Sequence, residues 1–108
     1  GMRKRVGLAR AIAADPEVIF YDEPTTGLDP ITCDEINQLM SDLHEKLKVT
    51  SVIVTHDMDS AFFVGTRMAM LYEGKVVAEG TPQEIMNNET PIVQQFIYSG
   101  SRKMLAPK

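Results

Sequence analysis

The sequence predicts an α/β fold with a parallel strand pair, and three stretches of the chain carry this prediction. Residues 18–21 and 51–55 are short and apolar, which is typical of strands buried on both faces of a parallel sheet. Between them, apolar residues recur at helical spacing from Ile36 to Leu47 and predict a long helix. The order strand, helix, strand implies a parallel crossover connection.

A first helix is predicted over residues 2–14. Its apolar residues recur at the spacing of one helical face, at Met2, Val6, Ala9, Ile12 and Ala13. Asp15–Pro16 ends this helix, because the residue before a proline disfavours helical backbone angles.

The second half of the chain predicts a β-hairpin. Residues 68–72 and 75–79 flank Glu73–Gly74, a two-residue connection of the kind that closes a hairpin. Upstream of the hairpin, Asp57 is placed to cap a helix that includes residues 61–63.

Two further short helices are expected after the hairpin. The run Thr81-Pro82-Gln83-Glu84 has the capping-box pattern, with proline at the first helical position, and predicts a helix to about Asn87. Thr90–Pro91 starts the next helix in the same way, and that helix ends near Gly100. We expect residues 1–100 to form one domain portion and residues 101–108 to form a flexible polar tail.

Composition bounds the class of protein. The chain has 108 residues, of which 44% are hydrophobic, so one globular domain at most is expected. Its net charge of -4 argues against nucleic acid as a main partner, since phosphate binding normally needs clustered Lys and Arg, and the basic run at 3–5 is short. A single cysteine, Cys33, fits a reducing compartment such as the cytoplasm. No apolar run reaches the roughly 18 residues of a membrane span.

The strongest chemical signal is the pair Asp22–Glu23 directly after the first apolar strand. Ligands of open α/β sheets bind at the carboxyl ends of the strands, so two acids there suit a metal–nucleotide complex. One carboxylate can hold Mg²⁺, and the other can orient or deprotonate an attacking water. The alternative is structural: Asp22 caps the turn and Glu23 is a solvated surface residue.

The continuation of this segment resembles ABC-type ATPases. The strand with Asp22–Glu23 resembles Walker B with its catalytic glutamate, residues 26–29 resemble the D-loop, and His56 after the second strand resembles the switch histidine. Residues 2–11 resemble the helix that follows the family's signature motif. The resemblance runs to about residue 86, and it implies the C-terminal part of a three-layer P-loop NTPase fold with parallel strands, a C-terminal hairpin and short helices.

The resemblance implies a role for each matching residue. Asp22 would bind Mg²⁺ through its water shell, and Glu23 would act as general base or position the attacking water. His56 would contact the γ-phosphate of ATP and the attacking water. Asp29 would cross a dimer interface to the partner's nucleotide site, although a helix N-cap before Pro30 explains this aspartate equally well. Gly1 would be a remnant of the signature motif if it is native. His44 and Cys33 are interpreted as ordinary helix residues.

The chain departs from the family in one essential motif. The Gly-x-x-x-x-Gly-Lys-Ser/Thr loop that grips the phosphates is absent from the sequence. The simplest interpretation is a truncated protein, which we expect to be inactive alone. In the family's sheet, the strand of residues 51–55 lies beside the missing phosphate-loop strand, so we expect an exposed edge and self-association of the chain by strand pairing or exchange.

The function implied by the resemblance is that of the ATPase subunit of an ABC transporter. It would bind ATP and Mg²⁺, dimerise with a second ATPase subunit and associate with membrane permease subunits at the cytoplasmic face of the cell membrane. Residues 29–32 and 93–97 resemble the branch that transports lipids or confers solvent resistance. The alternatives are an amino-acid-type importer, a non-catalytic interaction module, and a soluble ABC ATPase of DNA maintenance or translation.

Overall fold

A computed structural model gives the fold of residues 2–103, without the side chain of Lys4. The described chain divides into two compact units between Thr55 and His56. The expectation of one domain portion over residues 1–100 stays a prediction. The elements along the chain are α1 (Met2–Ala13), β1 (Val18–Asp22), α2 (Pro30–Leu47), β2 (Thr50–Val54), α3 (Met58–Val64), β3 (Met68–Tyr72), β4 (Lys75–Gly80), α4 (Pro82–Met86) and α5 (Pro91–Ser99).

The first unit is built on a parallel pair of strands. β1 pairs with β2 in a register that runs from Val18 opposite Thr50 to Asp22 opposite Val54. The ladder extends one residue further, because the Glu23 N–H donates to the Val54 carbonyl at 2.8 Å. α2 is the crossover between the two strands. The predicted α/β fold with a parallel strand pair is therefore confirmed.

Only one face of this sheet is buried, so the prediction of strands buried on both faces is wrong for the described chain. Ile19 and Tyr21 are 4% and 8% exposed, whereas Phe20 between them is 74% exposed. Val52 and Val54 in β2 are also exposed. An apolar run makes a strand able to be buried on both faces, but burial itself needs a layer of structure on each face.

Of the two helices that cover the sheet in the first unit, α1 uses residues other than the predicted ones. Leu8 in α1, together with Ile36 and Met40 in α2, lines a cavity against β1. Met2 and Val6, which were assigned to the apolar face of α1, are exposed. The face of α1 is determined by contact with the sheet and not by the largest apolar residues. In α2, Ile36 and Met40 of the predicted apolar face are buried, whereas Leu47 at its end is exposed.

The second unit contains the predicted hairpin. β3 and β4 are antiparallel, and both connecting residues have left-handed backbone angles, with φ of 48° at Glu73 and 77° at Gly74. Two left-handed residues in succession are typical of the tight turn that matches the twist of a hairpin. A register shift between Met70 and Leu71 was not predicted.

The core of the second unit consists of Met58, Met70, Ala78, Ile85, Val93 and Ile97.

Two of the three predicted helix caps in the second unit are present. The Asp57 carboxylate accepts from the Ser60 N–H at 3.3 Å, and Thr81 forms a complete capping box with Glu84. Thr90 occupies the N-cap position of α5, but its side chain makes no capping hydrogen bond, so the prediction that α5 starts like α4 is wrong in this respect. Val93 stands at the position that Glu84 takes in α4, so α5 lacks the reciprocal partner.

The chain is held beyond the predicted end of the ordered part. Ser101 and the backbone of Arg102 both donate hydrogen bonds to Asp59. The predicted boundary of the tail at residue 100 stays a prediction. Residues 104–108 of the predicted tail lie outside the described chain. Among the described helices, none combines the length and the hydropathy that crossing a membrane requires.

The unpaired edge of β2 generates a prediction about association. Within the described residues β2 pairs only with β1, so its other edge carries backbone groups available to a further strand. We expect the chain to form dimers or larger species at high concentration. We expect Val52→Lys to reduce this association, because a charged side chain on an edge strand disfavours pairing. Light scattering over a range of concentrations measures the association of the wild-type chain and of the Val52→Lys variant.

Ile31→Lys is the matched control, since Ile31 is an exposed helical residue and the substitution adds the same charge away from the edge. A wild-type chain that stays monomeric at every concentration, or equal effects of the two substitutions, would contradict the prediction.

Candidate active site at the carboxyl end of the parallel strands

The candidate site is the loop that follows β1. Asp22 is the last residue of the strand, and its side chain is exposed. Glu23 follows it in a left-handed backbone conformation, with φ of 49°. This conformation costs a residue other than glycine about 1–3 kcal/mol and is found mostly at functional sites and tight turns. The two sequence-predicted acids therefore lie side by side at the strand end, one of them in a strained backbone.

A hydroxyl group holds the Glu23 side chain. The Thr26 Oγ1 donates to the Glu23 Oε2 at 3.0 Å, and the Thr26 N–H bonds the Glu23 carbonyl at 3.3 Å. A hydrogen bond from a neutral hydroxyl orients a carboxylate without neutralising it. The sequence prediction named Thr26 only as part of the D-loop. The spacing of a hydroxyl three residues after an acid is the signal that points to this contact.

The loop is tied to α2 through a buried thiol. Cys33 Sγ lies 3.5 Å from the carbonyl oxygens of Thr25 and Leu28, and Cys33 is 5% exposed. The Leu28 N–H also bonds the Thr25 carbonyl at 3.2 Å. Gly27, at φ of 79°, supplies the left-handed turn between them. The loop is thus anchored by backbone carbonyls, although Cys33 was predicted to be only a small helix residue.

Asp29 serves as the N-cap of α2 in this structure. Its carboxylate accepts from the Thr32 N–H at 3.2 Å and from the Thr32 hydroxyl at 2.6 Å. These two hydrogen bonds hold the pKa of Asp29 below its ordinary value. Pro30 stands at the first helical position. The predicted capping role is present, and the role across a dimer interface stays a prediction.

The remaining predicted residues lie elsewhere. His56 belongs to the second unit, two residues after β2, and its side chain is exposed. Asp57 beside it caps α3 through the Ser60 N–H and hydroxyl, at 3.3 and 3.1 Å. Gly1, the predicted remnant of a signature motif, lies outside the described residues. The structure therefore brings Asp22, Glu23 and Thr26 together within one loop.

The donors at this loop fit one kind of metal site. Among residues 2–103 there is no cluster of three or more His, Cys, Asp or Glu side chains that could hold a metal ion. Mg²⁺ in nucleotide sites keeps several waters and takes one or two protein carboxylates plus phosphate oxygens. The exposed Asp22 carboxylate suits that role, and the described chain offers no metal cage made of protein ligands alone.

Known proteins resemble this chain over most of its length. The histidine/lysine/arginine/ornithine transport ATP-binding protein HisP of Escherichia coli is 42% identical over 104 residues, which cover 95% of the chain and 40% of HisP. The structure of CbiO1 from Clostridium perfringens, part of the ABC transporter complex CbiONQ, superposes with a TM-score of 0.74 at 32% identity, over 91% of the chain and 38% of CbiO1. The chain is homologous to ABC-type ATPases. No protein-family model matches the sequence.

A second solved structure extends this homology. The ATP-binding cassette MJ0796, in a dimeric post-hydrolysis state bound to ADP and Pi, matches with a TM-score of 0.65 and 42% identity, over 73% of the chain and 34% of that protein. The chain has the fold of part of an ABC ATPase, as predicted. It spans well under half the length of each of these three ABC proteins. HisP carries the name of an amino-acid transport protein, so the homology does not single out the lipid-transport branch.

The cap at Asp29 gives a prediction about pH. Because the pKa of Asp29 is lower in the folded chain, its contribution to stability is complete above the ordinary aspartate pKa. That contribution is lost as the pH falls through the folded-state pKa. We expect Asp29→Ala to lower the free energy of unfolding at neutral pH, and we expect the difference from wild type to shrink on acidification. Urea unfolding at a series of pH values measures this.

Asp29→Asn is the control, because asparagine also caps helices but does not titrate. It should keep most of the stability at neutral pH and lose the pH dependence. A deficit in Asp29→Ala that is equally large in acid would show that the carboxylate charge is irrelevant to the cap.

Proposed function

We propose that this chain supplies the water-activating part of the nucleotide site of an ABC transporter ATPase. The observation that carries the proposal is Glu23, which directly follows β1, has φ of 49° and accepts a hydrogen bond from Thr26. A left-handed conformation in a residue other than glycine occurs at functional sites as well as at tight turns, and here it falls on an acid directly after a strand. The homology to ATP-binding proteins supports a nucleotide as the ligand.

The proposed roles follow from the chemistry of phosphoryl transfer, which depends mainly on positioning and charge stabilisation. Glu23 orients the attacking water and accepts its proton, with the Thr26 hydroxyl fixing the direction of the carboxylate. His56 donates to the γ-phosphate. Asp22 would hold Mg²⁺ through water, and a metal held there would supply positive charge to offset the charge on the phosphate oxygens.

The proposed partners are a second ATPase subunit and membrane permease subunits, with the protein at the cytoplasmic face of the membrane. The dimeric state of MJ0796 and the membership of CbiO1 in a transporter complex support this part. Asp29, at the end of the loop that carries Glu23, would then face the second subunit in addition to capping α2.

The transported substrate is proposed from two sequence stretches only. Residues 29–32 and 93–97 resemble the lipid-transport or solvent-resistance branch, and this resemblance supports a lipid or another hydrophobic substrate. The amino-acid transport name of HisP supports the alternative, an importer of amino acids. Reconstitution of the transporter with each substrate class distinguishes the two, because only the true substrate stimulates ATP hydrolysis.

A non-catalytic interaction module is the second candidate function. Such a function needs no Gly-x-x-x-x-Gly-Lys-Ser/Thr motif, and the 108 residues contain none. Such a module would bind a partner subunit without turnover, and Glu23 would then be dispensable.

A hybrid protein tests the leading proposal. In it, residues 2–103 replace the homologous segment of HisP, which supplies the rest of an ATP-binding protein. We expect the hybrid to hydrolyse ATP, and we expect Glu23→Gln to lower its kcat by about 10²–10⁴-fold, since loss of a general base has effects of this size. The KM for ATP should change little, because the substitution keeps the size of the side chain. A coupled phosphate-release assay measures both constants.

Glu45→Gln is the matched control, since Glu45 is an exposed glutamate on α2. The 108-residue chain alone is the negative control and should not turn over. Full activity in the Glu23→Gln hybrid would refute the catalytic role and favour the interaction module, and ordinary turnover by the chain alone would refute the need for a separate phosphate loop.

A further inference from the structure

The end of α5 approaches the start of α3 at very short range within the second unit. A Cβ atom at Gly100 would lie 2.7 Å from the His56 carbonyl oxygen and 2.7 Å from the Met58 Cγ. The φ of Gly100 is -95°, which any residue adopts, so the glycine is required by space and not by backbone angle. The Met58 N–H donates to the Gly100 carbonyl at 2.8 Å. The backbone that carries His56 is therefore in direct contact with residue 100.

A buried carboxylate secures this contact. The Asp59 side chain is 3% exposed, and it accepts from the Ser101 hydroxyl at 2.6 Å and from the Arg102 N–H at 2.9 Å. The Arg102 Nε lies 3.4 Å from the same carboxylate. A carboxylate this deeply buried is strongly unfavourable unless it is paired and hydrogen-bonded. Asp59 therefore holds the segment Gly100–Arg102, which we name the C-terminal strap, firmly in place.

Several contacts of the C-terminal strap fall on residues 56–59. Gly100 leaves no room for a side chain beside the His56 carbonyl, its own carbonyl accepts from the Met58 N–H, and Ser101 and Arg102 donate to Asp59. An ordinary helix end needs only its own capping bond, which Gly100 already makes to Phe96 at 3.0 Å. The additional contacts fix the backbone of the turn from which the His56 side chain projects.

We propose that Asp59 is a positioning residue for His56, acting through the C-terminal strap. The proposal rests on the proposed role of His56 at the γ-phosphate, because a donor to a reacting phosphate has to be held within a fraction of an ångström. It makes residues 100–102 part of the machinery that sets the geometry of the histidine. Displacement of the strap then moves His56 without any change in Asp22 or Glu23.

The experiment uses the 108-residue chain and nuclear magnetic resonance. The chain has two histidines, His44 on α2 and His56, so the ring signals of His44 serve as an internal control. We expect Asp59→Asn, Ser101→Ala and Gly100→Ala each to shift the ring signals of His56 and leave those of His44 in place. Hydrogen exchange of the Met58 amide should become about tenfold faster or more in Gly100→Ala.

Glu89→Gln is the matched control, because Glu89 is an exposed acid of the same unit. It should leave the His56 signals and the Met58 exchange rate unchanged. Ser101→Ala removes a single hydroxyl and is the mildest variant. Unchanged His56 signals in it and in Asp59→Asn would overturn the proposal.

Loss of the dispersed hairpin signals of β3 and β4 in Asp59→Asn and Ser101→Ala would also overturn the proposal, since Asp59 would then be a folding determinant of the whole unit and not a positioning residue.

None of these measurements involves a nucleotide. Failure of the proposed ATPase role would therefore leave them unaffected, and failure of the positioning role would leave the Glu23→Gln result in the hybrid unaffected.

Discussion

Parallel pairing of β1 with β2 is the interaction on which the candidate site depends. The ladder ends with Asp22 opposite Val54, and the Glu23 N–H extends it by one bond to the Val54 carbonyl at 2.8 Å. That bond fixes the backbone of Glu23 on its N-terminal side, and the turn that follows has to begin immediately. The left-handed φ of Glu23 is the consequence, because the chain leaves the sheet within one residue.

The cost of this turn is offset by contacts made within the same loop. Thr26 bonds both the side chain and the backbone carbonyl of Glu23, and Cys33 lies against the carbonyls of Thr25 and Leu28. α2 therefore begins at a point determined by the loop, with Asp29 as its cap. A strained residue persists only where its surroundings over-determine it, and here the strand ladder and the helix start do so from the two ends of the loop.

The features that sequence predicts well are those with a local cause. The capping box at Thr81, the Asp57 cap and the Glu73–Gly74 turn depend on residues within three positions of each other, and all three are present. Whether Phe20 is buried depends on a second layer over the sheet, which a strand's own residues do not encode. Asp59 lies 42 residues from Ser101, so a pattern within a few turns of helix gives no sign of that contact.

The same difference between local and distant causes applies to the residues proposed for the chemistry and to the residues proposed to hold them in place. Asp22, Glu23 and His56 can be proposed from the sequence because the chemistry proposed for them requires particular residue types at or just after the ends of strands, whatever the rest of the chain does. Residues that hold them in place are under no such constraint: any contact that fixes the backbone serves. Asp59 and Gly100 are the residues proposed for this role, and they lie in the first turn of α3 and at the end of α5. Their proposed function depends on contacts between residues that are far apart in the sequence, and such contacts are seen only in the folded chain.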